Sequence, residues 1–191
     1  MALTNLSDFR SYLQLNPSDT TSDVVLKMIL DASERVFTGA CQRTFTYGTF
    51  EETLEVAYVT DRLQLKEYPV HSVTGITYYL NVAETDPEVL TDYRLRGDAG
   101  YLIFTTALPP ASTVWVTYTA GYTPELSLPA DIPLAIYHLG SMLRNQSATV
   151  GMKSESLGDR SYTVMDFGQG TGFPPLVQQS IDRYKRVLFK V

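Results

Sequence analysis

The chain has 191 residues, of which 44% are apolar and 19% charged, and its formal net charge is -6. This composition is typical of a folded globular protein and excludes a wholly disordered chain. The negative balance argues against tight DNA binding, which depends on Lys and Arg displacing counterions from phosphates. No apolar run approaches the roughly 20 residues of a transmembrane helix and the start lacks the layout of a signal peptide, so we expect a cytosolic protein without membrane contact.

The first forty residues have the apolar spacing of helices. A short helix is predicted around Phe9 and Leu13, with Thr4 and Ser7 as capping candidates, and the sequence NPSD then breaks it. A longer helix follows in SDVVLKMILDASERVFTG, with Gly39 as its predicted stop. The predicted buried face of this second helix carries apolar residues at helical spacing: Val25, Ile29, Ala32 and Val36.

From about Thr46 to Ala120 the period of the apolar residues changes from that of a helix to two. The turn signals YPVHSVTG, NVAETDPE, RGDAG and LPPAS separate short segments rich in β-branched and aromatic residues. These segments predict a small antiparallel β-sandwich or barrel. The alternating positions expected to face its core include Leu54, Val56, Tyr58, Ile76, Tyr78, Leu80, Val114, Val116 and Tyr118.

Helical spacing returns in LPADIPLAIYHLGSMLRNQ, whose apolar stripe is Ile132, Ala135, Leu139 and Met142. Residues 148–173 then show no sustained period, and a loop of this length is functional, disordered or ordered by a partner. A final helix is predicted to begin near Pro174 and Pro175. Its apolar face carries Val177, Ile181, Tyr184 and Leu188, and its opposite face carries Arg183, Arg186 and Lys190.

These segments predict an α+β fold in which the N- and C-terminal helices form a bundle and an antiparallel β-sandwich or barrel-like region is inserted between them. Residues 1–45 with 129–191, including the loop 148–173, are the predicted helical bundle. Residues 46–128 are the predicted strand-rich insertion. This arrangement brings the two ends of the chain together.

The loop sequence GMKSESLGDRSYTVMDFGQG places Ser and Asp among glycines, a composition that also occurs at the active sites of small hydrolases. Ser154 or Ser156 would need a histidine base, but His71 and His138 lie in a turn and a helix with no serine-hydrolase motif nearby. The segment GQGTG lacks the preceding strand and the Lys-Ser/Thr ending of a P-loop. One cysteine, Cys41, and two distant histidines give no zinc spacing. We predict no catalytic residue, no cofactor, no metal site and no enzyme activity.

The loop is predicted instead to recognise partners. Thirteen tyrosines suit protein interfaces, where an apolar ring is buried while its hydroxyl stays hydrated, although about half of them also suit strands. We expect the loop to be mobile in the free subunit and to bind partners through Met152, Leu157, Tyr162, Val164 and Phe167. The basic residues of the last helix, Arg183, Arg186 and Lys190, either complement the helix dipole or bind an acidic partner.

The order of several phrases resembles the head-tail connector (adaptor, head completion) proteins of long-tailed bacteriophages. ILDASERVFTGACQRTF is similar to that family's second helix and the phrase after it, and LQLKEYPVHSVTGITYY to its strand-turn-strand segment. VWVTYTAGYTPELSLPADIPLAIYHLGSMLRNQ and SESLGDRSYTV resemble the passage and the loop that follow. The resemblance covers most of the chain from about Leu26 onward.

The resemblance implies a structural virion protein located in the neck between capsid and tail, and assembled in the bacterial cytoplasm. Such proteins form a homo-oligomeric ring, commonly of twelve copies, beneath the portal protein. They extend the channel for double-stranded DNA without binding it specifically, and they present a surface to a tail-completion or stopper protein. Many adaptors are nearly all helical, so the long strand-rich insertion is a departure from the family pattern. The alternatives are another neck or tail-completion protein, or a hydrolase that uses the Ser/Asp-rich loop.

Overall fold

The computed structural model describes residues 3–16, 18–79, 88–123, 126–148, 155–157, 160–162 and 172–186. The chain divides into two compact units. One unit spans Arg43–Leu128 together with Arg186, and it contains the two main sheets. The other unit combines the residues up to Gln42 with Pro129–Lys185, and it contains the helices.

The helical unit contains four helices and a short hairpin. The helices are α1 (Leu6–Tyr12), α2 (Asp23–Cys41), α3 (Asp131–Ala148) and α4 (Pro175–Tyr184). Helix α2 packs against the other three helices. Residues 148–173, which show no periodicity in the sequence, contain the antiparallel strands β8 (Glu155–Leu157) and β9 (Arg160–Tyr162).

The cap of α1 and the end of α2 differ from the prediction by a few residues. Asn5, rather than Thr4 or Ser7, caps α1, and its side chain accepts a hydrogen bond from the Asp8 backbone N–H at 2.7 Å. Helix α2 continues past Gly39 to Cys41, and the next residue, Gln42, caps it in the left-handed conformation with φ 55°.

The buried face of α2 is not the predicted one. The residues that α2 buries are Leu26, Leu30, Ser33, Phe37 and Cys41, whereas Val25, Ala32 and Val36 lie on an exposed face. Both stripes have helical spacing, so periodicity alone does not choose between them. The larger Leu and Phe side chains remove more apolar area from water, and this gain decides which stripe packs inside.

The other helices bury the faces that their spacing predicts. In α3 the buried residues include Ile132, Ala135 and Leu139, and in α4 they include Val177 and Ile181. Helix α3 approaches α1 closely at Gly140, where an added Cβ would lie 2.7 Å from Cζ of Phe9. The Phe9 ring is fully buried and stacks on Tyr137 with 5.7 Å between ring centroids, so it has little freedom to move.

The strand-rich unit contains two antiparallel sheets. The first sheet has the order β1-β7-β3-β4, and its strands are β1 (Gly48–Val56), β7 (Ser112–Ala120), β3 (Val70–Tyr79) and β4 (Glu88–Val89). The second sheet has the order β2-β6-β5, and its strands are β2 (Thr60–Gln64), β6 (Tyr101–Leu108) and β5 (Tyr93–Arg96). The α+β fold is thus confirmed, and the sheets do not close into a barrel.

One apolar core lies between the two sheets. Buried residues of both contribute to it, among them Leu63, Leu102 and Phe104 from the second sheet and Ile76 and Val116 from the first. The predicted core positions Val56, Tyr78, Val114 and Tyr118 are buried as well, but Tyr58 lies beyond β1 and is 71% exposed. Leu80, also predicted to face the core, lies outside the described residues.

A glycine is required where β7 ends. Gly121 has φ 104°, and a Cβ there would lie 2.4 Å from the carbonyl oxygen of Thr46. The Gly121 N–H donates to the Pro69 carbonyl, and the Tyr122 N–H donates to the Phe45 carbonyl, each at 2.9 Å. The close approach of these backbones explains the glycine of the sequence YTAGY.

Two helix glycines give opposite predictions for stability. Gly140→Ala should lower the free energy of unfolding by about 1–3 kcal/mol, because the new methyl group overpacks the site beside Phe9. Gly39→Ala should raise it by about 0.5–1 kcal/mol, because nothing lies within 4 Å of the added Cβ and Ala favours the helix. Urea unfolding of both variants measures the difference. Shifts of the same sign would contradict the close approach of α1 and α3.

Candidate functional site

The residues of the loop predicted to bind partners fall partly on the β8–β9 hairpin. Leu157 ends β8 opposite Arg160, and Tyr162 ends β9 opposite Glu155. The hairpin therefore places these two residues at opposite ends of its ladder. Met152, Val164, Phe167 and Lys190, which were also predicted to bind partners, lie outside the described residues.

Arg183 has a partner within the helical unit. Its Nη1 donates to Oδ2 of Asp131 at 3.0 Å, and the Tyr184 hydroxyl donates to Oδ1 of the same carboxylate at 2.8 Å. Asp131 begins α3, so this contact ties the end of α4 to the start of α3. The Arg183 side chain remains 61% exposed, so an ion pair within the chain and contact with a partner are compatible roles.

The prediction that Arg186 lies on the basic face of the last helix is wrong, because the helix ends before this residue. Helix α4 ends at Tyr184, and Lys185 already has the extended backbone with φ -61° and ψ 147°. Arg186 thus follows the helix rather than lying on it. Burial raises the pKa of the Glu52 carboxylate on β1, and the positive charge of the Arg186 guanidinium offsets part of that rise. The sequence carries no Gly or Asn at this point to announce the end of the helix.

A buried arginine marks the start of the strand-rich unit. The guanidinium carbon of Arg43 lies 3.4 Å from the ring centroid of Tyr68 and 4.7 Å from that of Phe45. Its Nη2 donates to the Tyr68 carbonyl, while Nε and Nη1 have no hydrogen-bond partner among the described residues. Only 3% of Arg43 is exposed, so the two rings replace much of its hydration.

An acidic and phenolic network surrounds this arginine. The Glu67 carboxylate accepts from the Thr44 N–H at 2.6 Å, and the Glu67 N–H donates to the Tyr118 hydroxyl at 3.1 Å. Burial raises the pKa of Glu67, of Glu52 and of the Tyr118 phenol, because desolvation disfavours each charged form. The positive charge of Arg43 acts in the opposite direction on the pKa of Glu67.

This buried network brings together three phrases that are far apart in the sequence. CQRTF supplies Arg43 and Phe45, KEYPV supplies Glu67 and Tyr68, and YTAGY supplies Tyr118. The phrases that carry the family resemblance are therefore structural in this region: they hold the fold of the sheets together. The network is buried, so it does not serve as a binding surface.

A surface that the sequence analysis missed is the exposed face of α2. Val24, Val25 and Met28 are 75%, 56% and 67% exposed, and Val36 is 42% exposed. An apolar face of this kind on a helix that is already packed on its other side is a feature of protein interaction surfaces. The signal in the sequence was the second apolar stripe, which was assigned to the core.

Both histidines have hydrogen-bond partners within the chain. The His71 ring pairs through Nε2 with the Gly121 carbonyl at 2.7 Å, and His138 pairs through Nδ1 with the Tyr12 hydroxyl at 3.2 Å. Within the described part of the chain, no group of three His, Cys, Asp or Glu residues is arranged to hold a metal ion. Among the described helices, none is sufficiently long and apolar to cross a membrane.

The buried polar groups around Arg43 stabilise the fold, and the exposed apolar face of α2 is of the kind found at protein interaction surfaces. The chain belongs to the head completion protein family, whose family model matches residues 2–187. It is a structural protein that connects head and tail, as the order of its sequence phrases predicts. No curated protein sequence matches the chain.

Solved structures of gene transfer agent (GTA) particles contain chains with a similar fold. The chain is 19% identical to one in the neck of an empty GTA particle computed with C6 symmetry, with a TM-score of 0.56 and coverage of 96% of this chain and 90% of that one. A chain in the virion of a native GTA particle gives 19% identity, a TM-score of 0.57 and the same coverage. A third chain, in the neck of a native GTA particle computed with C12 symmetry, is 19% identical and gives a TM-score of 0.53. The match covers 96% of this chain and 89% of that one.

The buried arginine gives a testable difference in stability. Arg43→Ala should lower the free energy of unfolding by about 3–5 kcal/mol. It removes the positive charge beside the buried Glu67 and leaves a cavity beside the Tyr68 and Phe45 rings. Arg62→Ala is the matched control, since that side chain is 66% exposed, and its effect should stay within about 0.5 kcal/mol. Chemical denaturation measures both. Equal effects would contradict a structural role for the buried guanidinium.

The acidic network also predicts how stability depends on pH. The pKa of Glu52 is raised above 4.5 in the folded chain, so the folded state holds this proton more tightly than the unfolded state does. Stability is therefore lost as pH rises from 4.5 through the folded pKa. Glu52→Gln removes this loss and keeps an acceptor for the Lys66 N–H. Its melting temperature should equal that of the unmodified chain in acid and exceed it at neutral pH; a constant difference would contradict the raised pKa.

Proposed function

We propose that this chain is the ring-forming subunit of a virion neck, located beneath the portal, where it extends the DNA channel and joins the capsid to the tail. The observation that carries the proposal is membership in the head completion family across residues 2–187. The fold supports it, because chains of similar fold over 96% of this chain come from particle necks computed with C12 and C6 symmetry.

The proposed partners are other copies of this chain, the portal protein on the capsid side and a tail-completion or stopper protein on the tail side. A ring of twelve copies is the proposed assembly, and the C12 symmetry of a similar neck supports that number. Double-stranded DNA passes through the ring without specific binding. The formal net charge of -6 supports this, because it gives the chain no overall attraction for phosphates.

We assign a different role in the ring to the helical and to the strand-rich part of the chain. Residues 1–45 with 129–191 are the connector bundle, and residues 46–128 are an inserted module that enlarges the subunit. The loop 148–173 is the contact element, with Leu157 and Tyr162 on its hairpin and Arg183 and Arg186 nearby in the sequence. The free energy cost of ordering such an element is offset when the partner covers its apolar side chains.

The proposed role requires no catalysis. The pairing of His71 with the Gly121 carbonyl and of His138 with the Tyr12 hydroxyl supports this, since each histidine is already engaged within the fold. A different tail-completion factor is the alternative, and binding to portal rather than to the tail tube separates the two.

The hairpin provides the test of the contact element. Leu157→Asp with Tyr162→Asp should leave the melting temperature nearly unchanged and prevent assembly with portal, because the interface loses two apolar anchors. Tyr58→Asp with Val59→Asp is the matched control, since both side chains are exposed and the change in charge is the same. Native mass spectrometry with portal should show a multi-copy complex for the unmodified chain and the control.

Two results would count against these proposals. A complex of the unmodified chain with portal that stays one-to-one would contradict the ring. A hairpin variant that assembles as well as the control would contradict the contact element while leaving the ring intact.

A further inference from the structure

The outer face of the first sheet is acidic, with an exposed tryptophan at its centre. Along β7 the inward residues are buried, whereas Trp115 points outward and is 53% exposed. The register sets Trp115 between Thr53 of β1 and Thr77 of β3, and Val89 of β4 continues the row. The Tyr79 ring lies 5.8 Å from the Trp115 ring.

The charged side chains on this outer face share one sign. Glu51 and Glu55 occupy the positions diagonal to Trp115 on β1, and both are exposed. Neither forms an ion pair with a residue that the structure describes. We call this surface, formed by Glu51, Thr53, Glu55, Thr77, Tyr79, Val89 and Trp115, the acidic face.

The outer face of the second sheet has the opposite charge. Ile103 of β6 points outward, and the register sets it between Arg62 of β2 and Arg94 of β5. In the next outward row Tyr101 lies between Gln64 and Arg96. We call this surface, formed by Arg62, Arg94, Arg96, Tyr101 and Ile103, the basic face.

The arginines of the basic face are available to a partner. All three are exposed. Arg94 and Arg96 form no ion pair with the described residues, and Arg62 has only its sequence neighbour Asp61, at 3.9 Å between Nε and Oδ1. The acidic face thus presents apolar side chains flanked by glutamates, and the basic face presents apolar side chains flanked by three arginines, with Asp61 beside one of them, so the two faces are complementary in net charge.

We propose that the acidic face of one copy binds the basic face of the next copy in the ring. Trp115 and Tyr79 would cover Ile103 and Tyr101, while Glu51 and Glu55 would meet Arg62 and Arg94. The proposal rests on the ring proposed above and gives the inserted strands their role in it, as the contact between neighbouring subunits.

The placement of the two faces suits a closed ring. A ring is built from heterologous contacts, in which each copy uses two different surfaces. From one copy to the next a many-membered ring turns only slightly, so those surfaces must lie on opposite sides of the subunit. The outer faces of the two sheets lie on opposite sides of one shared core.

Passing DNA is the competing occupant of the basic face. Phosphate binding gains its affinity from many Lys and Arg residues that release counterions. The outward strand positions of this face carry three arginines, in a chain of net charge -6. A second copy also accounts for the exposed Trp115 on the acidic face, which DNA binding leaves unexplained.

Charge reversal on each face tests the contact. The first variant is Glu51→Arg with Glu55→Arg, and the second is Arg62→Glu with Arg94→Glu. All four side chains are exposed, so both variants should melt at the temperature of the unmodified chain. Each variant alone brings like charges together and should fail to form the ring with portal, as measured by mass photometry.

Mixing the two variants should restore assembly. In an alternating ring the new arginines meet the new glutamates, and the unchanged faces meet each other, so every contact is again between opposite charges. Trp115→Ala should weaken assembly of the otherwise unmodified chain at least tenfold in the concentration required, whereas Tyr58→Ala, outside both faces, should not change it.

The outcomes separate this contact from the ring itself. If both charge variants assemble as the unmodified chain does, or if mixing does not restore assembly, the paired faces are wrong and the ring stands. If the unmodified chain forms no ring, the proposed function fails, and sedimentation of the two variants, apart and mixed, still shows whether the faces bind. If a DNA duplex is retained by the unmodified chain and lost only in the second variant, which still assembles, the basic face holds DNA.

Discussion

The burial of Arg43 is the constraint on which the strand-rich unit depends. A guanidinium with 3% exposure is tolerated because the Tyr68 and Phe45 rings enclose it and the Glu67 carboxylate lies nearby. The Glu67 carboxylate in turn accepts a hydrogen bond from the Thr44 N–H, and the Glu67 N–H donates to the Tyr118 hydroxyl. Because these residues come from three distant segments, the network fixes the start of the strand-rich unit, the connection before β3 and the central strand β7 relative to one another.

Strand β7 links the buried network to the exposed face of the first sheet, because it carries both Tyr118 and Trp115. It is the central partner of β1 and β3, and its residues alternate strictly between the core and the outside. Tyr118 and Val116 point inward, so Trp115 and Thr117 point outward. A shift of β7 by one residue would bury Trp115 and expose Tyr118, and the register is therefore held by the same core that the buried network completes.

Local periodicity was enough to predict the class of fold, because strands and helices bury residues with different periods. It failed on α2, where two apolar stripes compete and only the neighbouring helices decide which is covered. Periodicity also did not predict the end of α4 at Tyr184, because no Gly, Asn or Pro follows that residue. Of the residues predicted to bind partners, Leu157 and Tyr162 lie on the hairpin. The sequence alone does not predict the acidic and basic faces of the two sheets. Arg62 and Arg94 are far apart in the chain, and they flank one residue only because β6 pairs with both of their strands.

The first and last strands of the strand-rich unit are neighbours. Strand β1 and strand β7 pair along their full length, from Gly48 opposite Ala120 to Val56 opposite Ser112. The chain thus leaves the sheets beside the point at which it enters them. A unit that the chain enters and leaves at adjacent backbone positions can be exchanged as one piece in evolution, because its removal would leave the two flanking ends close enough to be rejoined.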